Sequence, residues 1–129
     1  MSAASDYLED KLLDHTLGNT AFSQPSNFVA LFTATTGLET NSPSAECSGG
    51  GYARQSASFA AASSGSCSTD ATITFPAATG NWGTITHVAV MDASTSGNVL
   101  YHGAVTSSKT IETGDTFQIS SGNLTITLA

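Results

Sequence analysis

Apolar and polar positions are arranged most tellingly over residues 80–105, GNWGTITHVAVMDASTSGNVLYHGAV. Val, Ile, Thr and Tyr dominate this run, and they pack well on a pleated surface. The pattern predicts a strand over 84–92, a turn over 93–97 and a second strand over 98–105. The connecting DASTSG is built of residues that tolerate turn geometry. No other stretch is as apolar over as many residues, so this hairpin is expected at the centre of the fold.

Residues 5–17 show helical spacing instead. Leu8 and Leu12, with Leu13 and His15 beside them, form one apolar stripe. Ser5 can cap the first turn, and Asp6, Glu9 and Asp10 place negative charge where the helix dipole favours it. Gly18 and Asn19 end the pattern. With one apolar face, this helix must lie on its own domain or on a neighbouring subunit.

The run 27–34 (NFVALFTA) predicts a short apolar strand. Residues 35–51 hold Gly37, Asn41, Pro43 and three successive glycines, and read as a loop longer than the usual connection. Residues 52–60 alternate like a strand, 61–70 form a small-residue loop, and 71–75 a strand that Pro76 stops. After the hairpin come a connection over 106–112, a Gly114-Asp115 turn, and strands over 116–120 and 123–128. Leu124, Ile126 and Leu128 share one side of the last strand, Thr125 and Thr127 the other.

About seven or eight short antiparallel strands after one helix predict a mainly β fold, a β-sandwich or flattened barrel. The expected organisation is a helical arm over 1–20 and a single sandwich domain over 21–129. Phe32, Trp82, Val88, Val90 and Leu100 are the core candidates. Trp82, the only Trp, either plugs one end of that core or stands out as a binding platform.

Composition changes the picture of the surface. Only 10% of residues are charged, against roughly 25% in typical domains. Ser, Thr, Gly, Asn and Ala must cover the exterior, which suits packing against other subunits. It equally suits a secreted β domain with a Ser/Thr-rich skin. Three basic residues (Lys11, Arg54, Lys109) face ten acidic ones, for a net charge of -7. Phosphate recognition needs clustered Lys and Arg, so neither nucleic acid nor an anionic membrane is an expected partner. No apolar run approaches the roughly 18 residues of a membrane span. The opening MSAASDYLEDKL lacks the basic start and apolar segment of a signal peptide, so cytosolic synthesis is expected.

Candidate chemistry is sparse. His87 and His102 fall on the two hairpin strands, but no Cys or carboxylate sits at a matching spacing, so satisfied histidines are expected rather than a base or metal site. Asp70, Asp92 and Asp115 read as turn formers, and no D-x-D-x-D-G loop offers calcium ligands. No G-x-S-x-G elbow activates a serine, and residues 49–51 lack the Lys-Ser/Thr of a phosphate loop. Asn123-Leu124-Thr125 matches a glycosylation sequon, read as coincidence without a signal peptide. Cys47 and Cys67 can close a disulfide or remain two free thiols; they make no zinc site. Arg54, amid an excess of carboxylates, is expected to pair with one, inside the domain or across an interface. No enzyme activity, cofactor or metal is expected. The candidate interface comprises Tyr7, Leu8, Leu12, Tyr52 and Arg54.

Several stretches together carry a resemblance: YLEDKLLDHTLGN over 7–19, FVALFTA over 28–34, GGGYARQ over 49–55, ITFPAATGNWG over 73–83, ITHVAVMD over 85–92, and the closing GDTFQIS and LTITL. In this order the chain resembles a family of small tailed-bacteriophage virion proteins, often labelled tail fibre-like or phage structural proteins. The resemblance implies a virion component made in the host cytoplasm, with no catalytic residues to carry over. Cys47 and Cys67 fall in the family's variable loops, and the oxidising surroundings of a mature virion add a little to the case for their disulfide, with two free thiols still the alternative. The absence of a shaft repeat argues against a true fibre shaft. The first expectation is a capsid cement or decoration subunit, partnered by the major capsid protein and by copies of itself. The second is a tail adaptor, collar, portal-proximal or fibre-associated protein. A receptor-binding head would need an exposed aromatic patch around Trp82, Tyr52 or Tyr101, and a small hydrolase a converging His87, His102 and carboxylate.

Overall fold

In a computed structural model, which describes residues 3–128, one helix and nine strands are formed. They are β1 (Ala3–Ala4), α1 (Asp6–Thr16), β2 (Phe28–Phe32), β3 (Gln55–Ser56), β4 (Ser66–Ser68), β5 (Ile73–Thr74), β6 (Gly83–Met91), β7 (Val99–Ile111), β8 (Gln118–Ile119) and β9 (Thr125–Thr127). The main sheet runs β1-β7-β6-β2-β3, while β4 pairs with β9 and β5 with β8 as two small ribbons. Every pairing is antiparallel. The mainly β antiparallel class is therefore the one found, and no sheet closes on itself to make the flattened barrel.

The register explains why β2 is apolar throughout rather than alternating. Val29 opposes Val90 and Leu31 opposes Val88 on one face, while Ala30 opposes Ala89 and Phe32 opposes His87 on the other. Both faces are covered, and a strand buried on two sides reads as a continuous apolar run. On the first face, Val29, Leu31 and Val88 pack with Phe75, Trp82, Ile85 and Phe117. Farther along that face Val90 and Leu100 pack with Leu8 of α1 and Ile126 of β9. On the opposite face Phe32, Ala89, Met91 and Val99 enclose Leu38, carried by the segment after β2. Phe32, Trp82, Val88, Val90 and Leu100 are all buried.

The start of α1 is tied to the sheet through its cap. Ser5 Oγ accepts from the Leu8 N–H at 3.3 Å and itself donates to the Val99 carbonyl. The Ser5 N–H donates to the Leu100 carbonyl at 2.9 Å. Just before it, Ala3 and Ala4 pair with His102 and Tyr101 of β7. The apolar stripe then turns onto this chain's own sheet. Leu8 is buried, and Tyr7 and Leu12 pack half-buried against the same cluster.

The largest departures from the sequence pattern are in β7, β3 and β4. The second hairpin strand does not stop at Val105 but continues to Ile111. Its register jumps from His87↔Ala104 to Ile85↔Lys109, so residues 105–108 stand against Thr86 alone in a wide bulge. Beyond the bulge Thr84 and Thr110 are joined through their hydroxyls at 2.9 Å. The expected 52–60 strand contracts to Gln55–Ser56, and the expected 61–70 loop contains β4. Ser63 and Ser66 exchange both backbone hydrogen bonds, at 2.8 and 3.0 Å, around Ser64 (φ 52) and Gly65 (φ 75). Two positive φ values in a two-residue loop give the turn whose twist suits a hairpin.

The three successive glycines have a specific task. The Gly50 carbonyl accepts from the Trp82 indole N–H at 2.9 Å and from the Thr79 N–H at 2.8 Å. Gly50 has φ 54, and a Cβ there would lie 2.7 Å from the Gly80 carbonyl oxygen. Two backbones meet here with no room for a side chain. Gly49 has φ 70 but open space around it. We therefore expect Gly49→Ala to cost about 1 kcal/mol from backbone strain alone, and Gly50→Ala about 3 kcal/mol from strain plus the clash. Urea unfolding of the two variants tests this, and equal losses would show that the Gly50–Gly80 contact is unimportant.

Candidate functional site

Arg54 anchors a dense polar cluster. Its Nε donates to Glu46 Oε2 at 2.7 Å and its Nη2 to Glu46 Oε1 at 2.8 Å. The remaining nitrogen, Nη1, donates to the carbonyls of Ala93 and Ser96 at 2.8 and 2.7 Å. One guanidinium thus fastens the segment after β2 to the β6–β7 turn. Tyr52 joins in: its hydroxyl donates to Glu46 Oε2 at 2.7 Å and accepts from the Leu31 N–H at 3.0 Å. The Arg54 side chain is 6% exposed and that of Glu46 25%.

Burial works to raise the Glu46 pKa, but the hydrogen bonds from Arg54 and Tyr52 prevail and hold it below the ordinary glutamate value. Burial, with the Glu46 carboxylate beside it, pushes the Tyr52 phenol well above its ordinary value. Both groups therefore keep fixed protonation states across neutral pH.

The same turn is held from its other side. Asp92 Oδ1 accepts from the Asn98 N–H at 2.6 Å, and Oδ2 accepts from the Asn98 side-chain amide at 2.9 Å. Asn41 donates to Asn98 Oδ1 at 2.9 Å and accepts from the Val99 N–H at 2.8 Å. This arrangement rigidifies a loop; it contains no nucleophile beside a base.

The residues singled out by sequence divide as follows. Tyr52 and Arg54 are engaged inside the chain. Tyr52 also packs edge-on to Trp82 at 5.4 Å and stacks with Phe75 at 6.3 Å, so neither Tyr52 nor Trp82 forms an exposed aromatic patch. Leu8 is buried. Tyr7 meets Phe22 edge-on at 6.5 Å, and Leu12 lies in the same cluster. The large apolar side chains left outward here are Leu13, 57% exposed, and the C-cap residue Leu17, 78% exposed. The stripe read at 8, 12 and 13 splits because Leu13 stands a quarter turn or so from Leu12. Leu17, one turn on from Leu13, was the exposed apolar position that pattern reading passed over.

The Cys47–Cys67 disulfide does not form, and both are free thiols. Cys47 sits in the main core cluster, where burial and the neighbouring Glu46 push its pKa up to about 11. Cys67 lies on β4 with its Sγ donating to the Ala60 carbonyl at 2.9 Å. Register places His87 and His102 on the same face of adjacent strands, one step apart. Each is held by a different neighbour: His87 Nδ1 by Thr86 Oγ1 at 2.9 Å, His102 Nε2 by Glu39 Oε2 at 2.8 Å. Asp6, Glu9 and Glu39 bring carboxylate oxygens within 4.8 Å of one another at the start of α1, all exposed. Glu39 holds the Asp6 carboxyl above its ordinary pKa. A helix N-terminus accommodates such acids without an ion.

Arg54→Met is expected to destabilise the fold by about 2–3 kcal/mol, because it leaves Glu46 and two carbonyls without their donor. Glu46 has its pKa lowered on folding, so its contribution is present above the unfolded value of about 4.5 and lost as pH falls through the folded one. Urea midpoints measured from pH 7 to pH 3 should fall in that acidic range, and fall less in Glu46→Gln. With a thiol reagent at pH 8, Cys67 should label in the native protein and Cys47 only after unfolding. Equal labelling of the two in the folded state would contradict the buried position of Cys47.

A family model described as podophage GP4 fiber I protein gp80 matches residues 3–127. No curated protein matches the chain. The match takes in the helix, the main sheet and both ribbons. The chain belongs to the podophage GP4 fiber I protein gp80 family and is a phage structural protein, associated with the virion.

Proposed function

We propose that the chain is a non-enzymatic structural subunit that works by burying neutral surface against copies of itself and against a neighbouring virion protein. The observation that carries this reading is the exposed pair of Leu13, on α1, and Leu17, at its C-cap, away from the face already covered. A leucine in the last turns of a helix and another at its C-cap, four residues on, together make a ready anchor for a partner groove. The low-charge exterior favours the same use, since few ions must be desolvated on contact.

The family description supports placement in a fibre attached to the particle. A domain of 129 residues without a shaft repeat suits the attachment or end piece of such a fibre. A second reading is a capsid cement or decoration subunit seated on the major capsid protein, favoured by the same compact, neutral-skinned domain. Copy number in purified particles separates them: hundreds for cement, roughly three to twelve for a symmetric tail or fibre position.

The substitution pair Leu13→Ser and Leu17→Ser is expected to move the unfolding free energy by only about 0.5 kcal/mol, since both side chains are exposed. It should nevertheless reduce incorporation into particles, measured by quantitative mass spectrometry of purified virions. Incorporation at the unsubstituted copy number would rule out the helix as the anchor.

A further inference from the structure

A groove of about 620 Å³ opens where β4 and β9 lie against the main sheet. Val90 and Ile126, both buried, form its floor. Phe59 and Tyr101 are half-buried along it, and Gln24, Asn27 and Ser58 supply its polar side. No Asp, Glu, Lys, Arg or His lines it, although the chain carries ten acidic groups.

Four side chains on this groove, Gln24, Asn27, Ser58 and Tyr101, make no side-chain hydrogen bond to any described residue. Elsewhere the polar side chains near the core are spent on turns and caps, as with Arg54, Asn41 and Asn98. Here two carboxamides and two hydroxyls are left open beside two aromatic rings. Burial raises the Tyr101 pKa, so its hydroxyl remains a donor at neutral pH.

The chemistry of the lining restricts the ligand. Carboxamides and hydroxyls both donate and accept, so the ligand must present both kinds of group at close spacing. A charged ligand would lose hydration with no counter-charge to meet it. Aromatic rings beside the polar groups call for an apolar face on the same molecule. A sugar ring unites these features: hydroxyls around its rim and C–H bonds on its face. The volume lies within the usual range for small-molecule sites. We propose that this groove binds a neutral saccharide.

This inference does not rest on where the subunit sits in the particle. The test is a titration of the full-length ¹⁵N-labelled protein, followed by amide chemical shifts. The probes are neutral oligosaccharides of glucose, galactose, mannose, N-acetylglucosamine and rhamnose, with sialyllactose as the charged comparison and an uncharged Gly-Ser-Thr peptide. At millimolar concentration at least one neutral saccharide should shift the amides of residues 57–67 and Tyr101, and sialyllactose should bind more weakly. The double variant Gln24→Ala, Asn27→Ala should weaken that binding about tenfold or more through its lost hydrogen bonds. Tyr101→Phe keeps the ring and should weaken binding without changing Tm. The proposal is overturned by silence across the whole neutral panel, by binding that survives the double variant, by shifts confined to other surfaces, or by the peptide alone occupying the groove.

Discussion

The structure depends on covering both faces of β2 and β6. Val29, Ala30, Leu31 and Phe32 are each fully buried, and a five-stranded sheet cannot shield both its sides. Each covering piece comes from elsewhere in the chain: Leu38 on one face, and Phe75, Phe117, Ile126 and Leu8 on the other. Removing apolar area from water at roughly 25 cal/mol per Å² is what holds these small pieces in place. Neither two-stranded ribbon would be stable alone. Their short strands exist because the sheet beneath them is apolar.

Polar groups then fix the covers against sliding. Hydrophobic burial is not directional, whereas the Arg54 guanidinium accepts only one arrangement of Glu46, Ala93 and Ser96 around it. The Asp92–Asn98–Asn41 chain and the Ser5 cap do the same at two other joints. Each joint connects segments far apart in sequence, and each lies where the chain changes direction. With 10% charged residues, the protein places its only arginine at one of these joints instead of on the surface. The exterior is left to small neutral side chains, a scatter of acids, and three exposed leucines, Leu13, Leu17 and Leu128.

Much of this was legible in the sequence, for identifiable reasons. The helix carries a cap, acidic first turn and apolar stripe, three independent signals that agree. The hairpin was legible because its strands are long and branched. The extension of β7 was hidden because TSSKT has no apolar side to reveal a face, and its partner Thr84 becomes apparent only through the bulge. β4 was hidden because Ser-Cys-Ser gains strand geometry from β9, more than fifty residues away. That Arg54 would meet a carboxylate follows from its being the lone arginine. That it also grips two turn carbonyls depends on three-dimensional placement. The groove beside Tyr101 had no signal, since Gln24 and Asn27 lie in a segment without period or motif.

The pairing of β1 with β7, of β4 with β9 and of β5 with β8 has a kinetic consequence. Ala3 meets His102, Cys67 meets Ile126, and Ile73 meets Ile119. Contacts of such sequence separation slow folding, because loops must close before burial rewards them. The ribbons that cover one face of the central strands draw on residues up to Thr127, so the part of that face under Ile126 stays open until β9 has been made. Without β9 the cluster over Val90 and Leu100 lacks Ile126. A chain lacking β9 exposes apolar surface around Val90 and Leu100, and such a patch favours aggregation. The pairing of β4 with β9 thus closes the part of the apolar face that the earlier elements leave open.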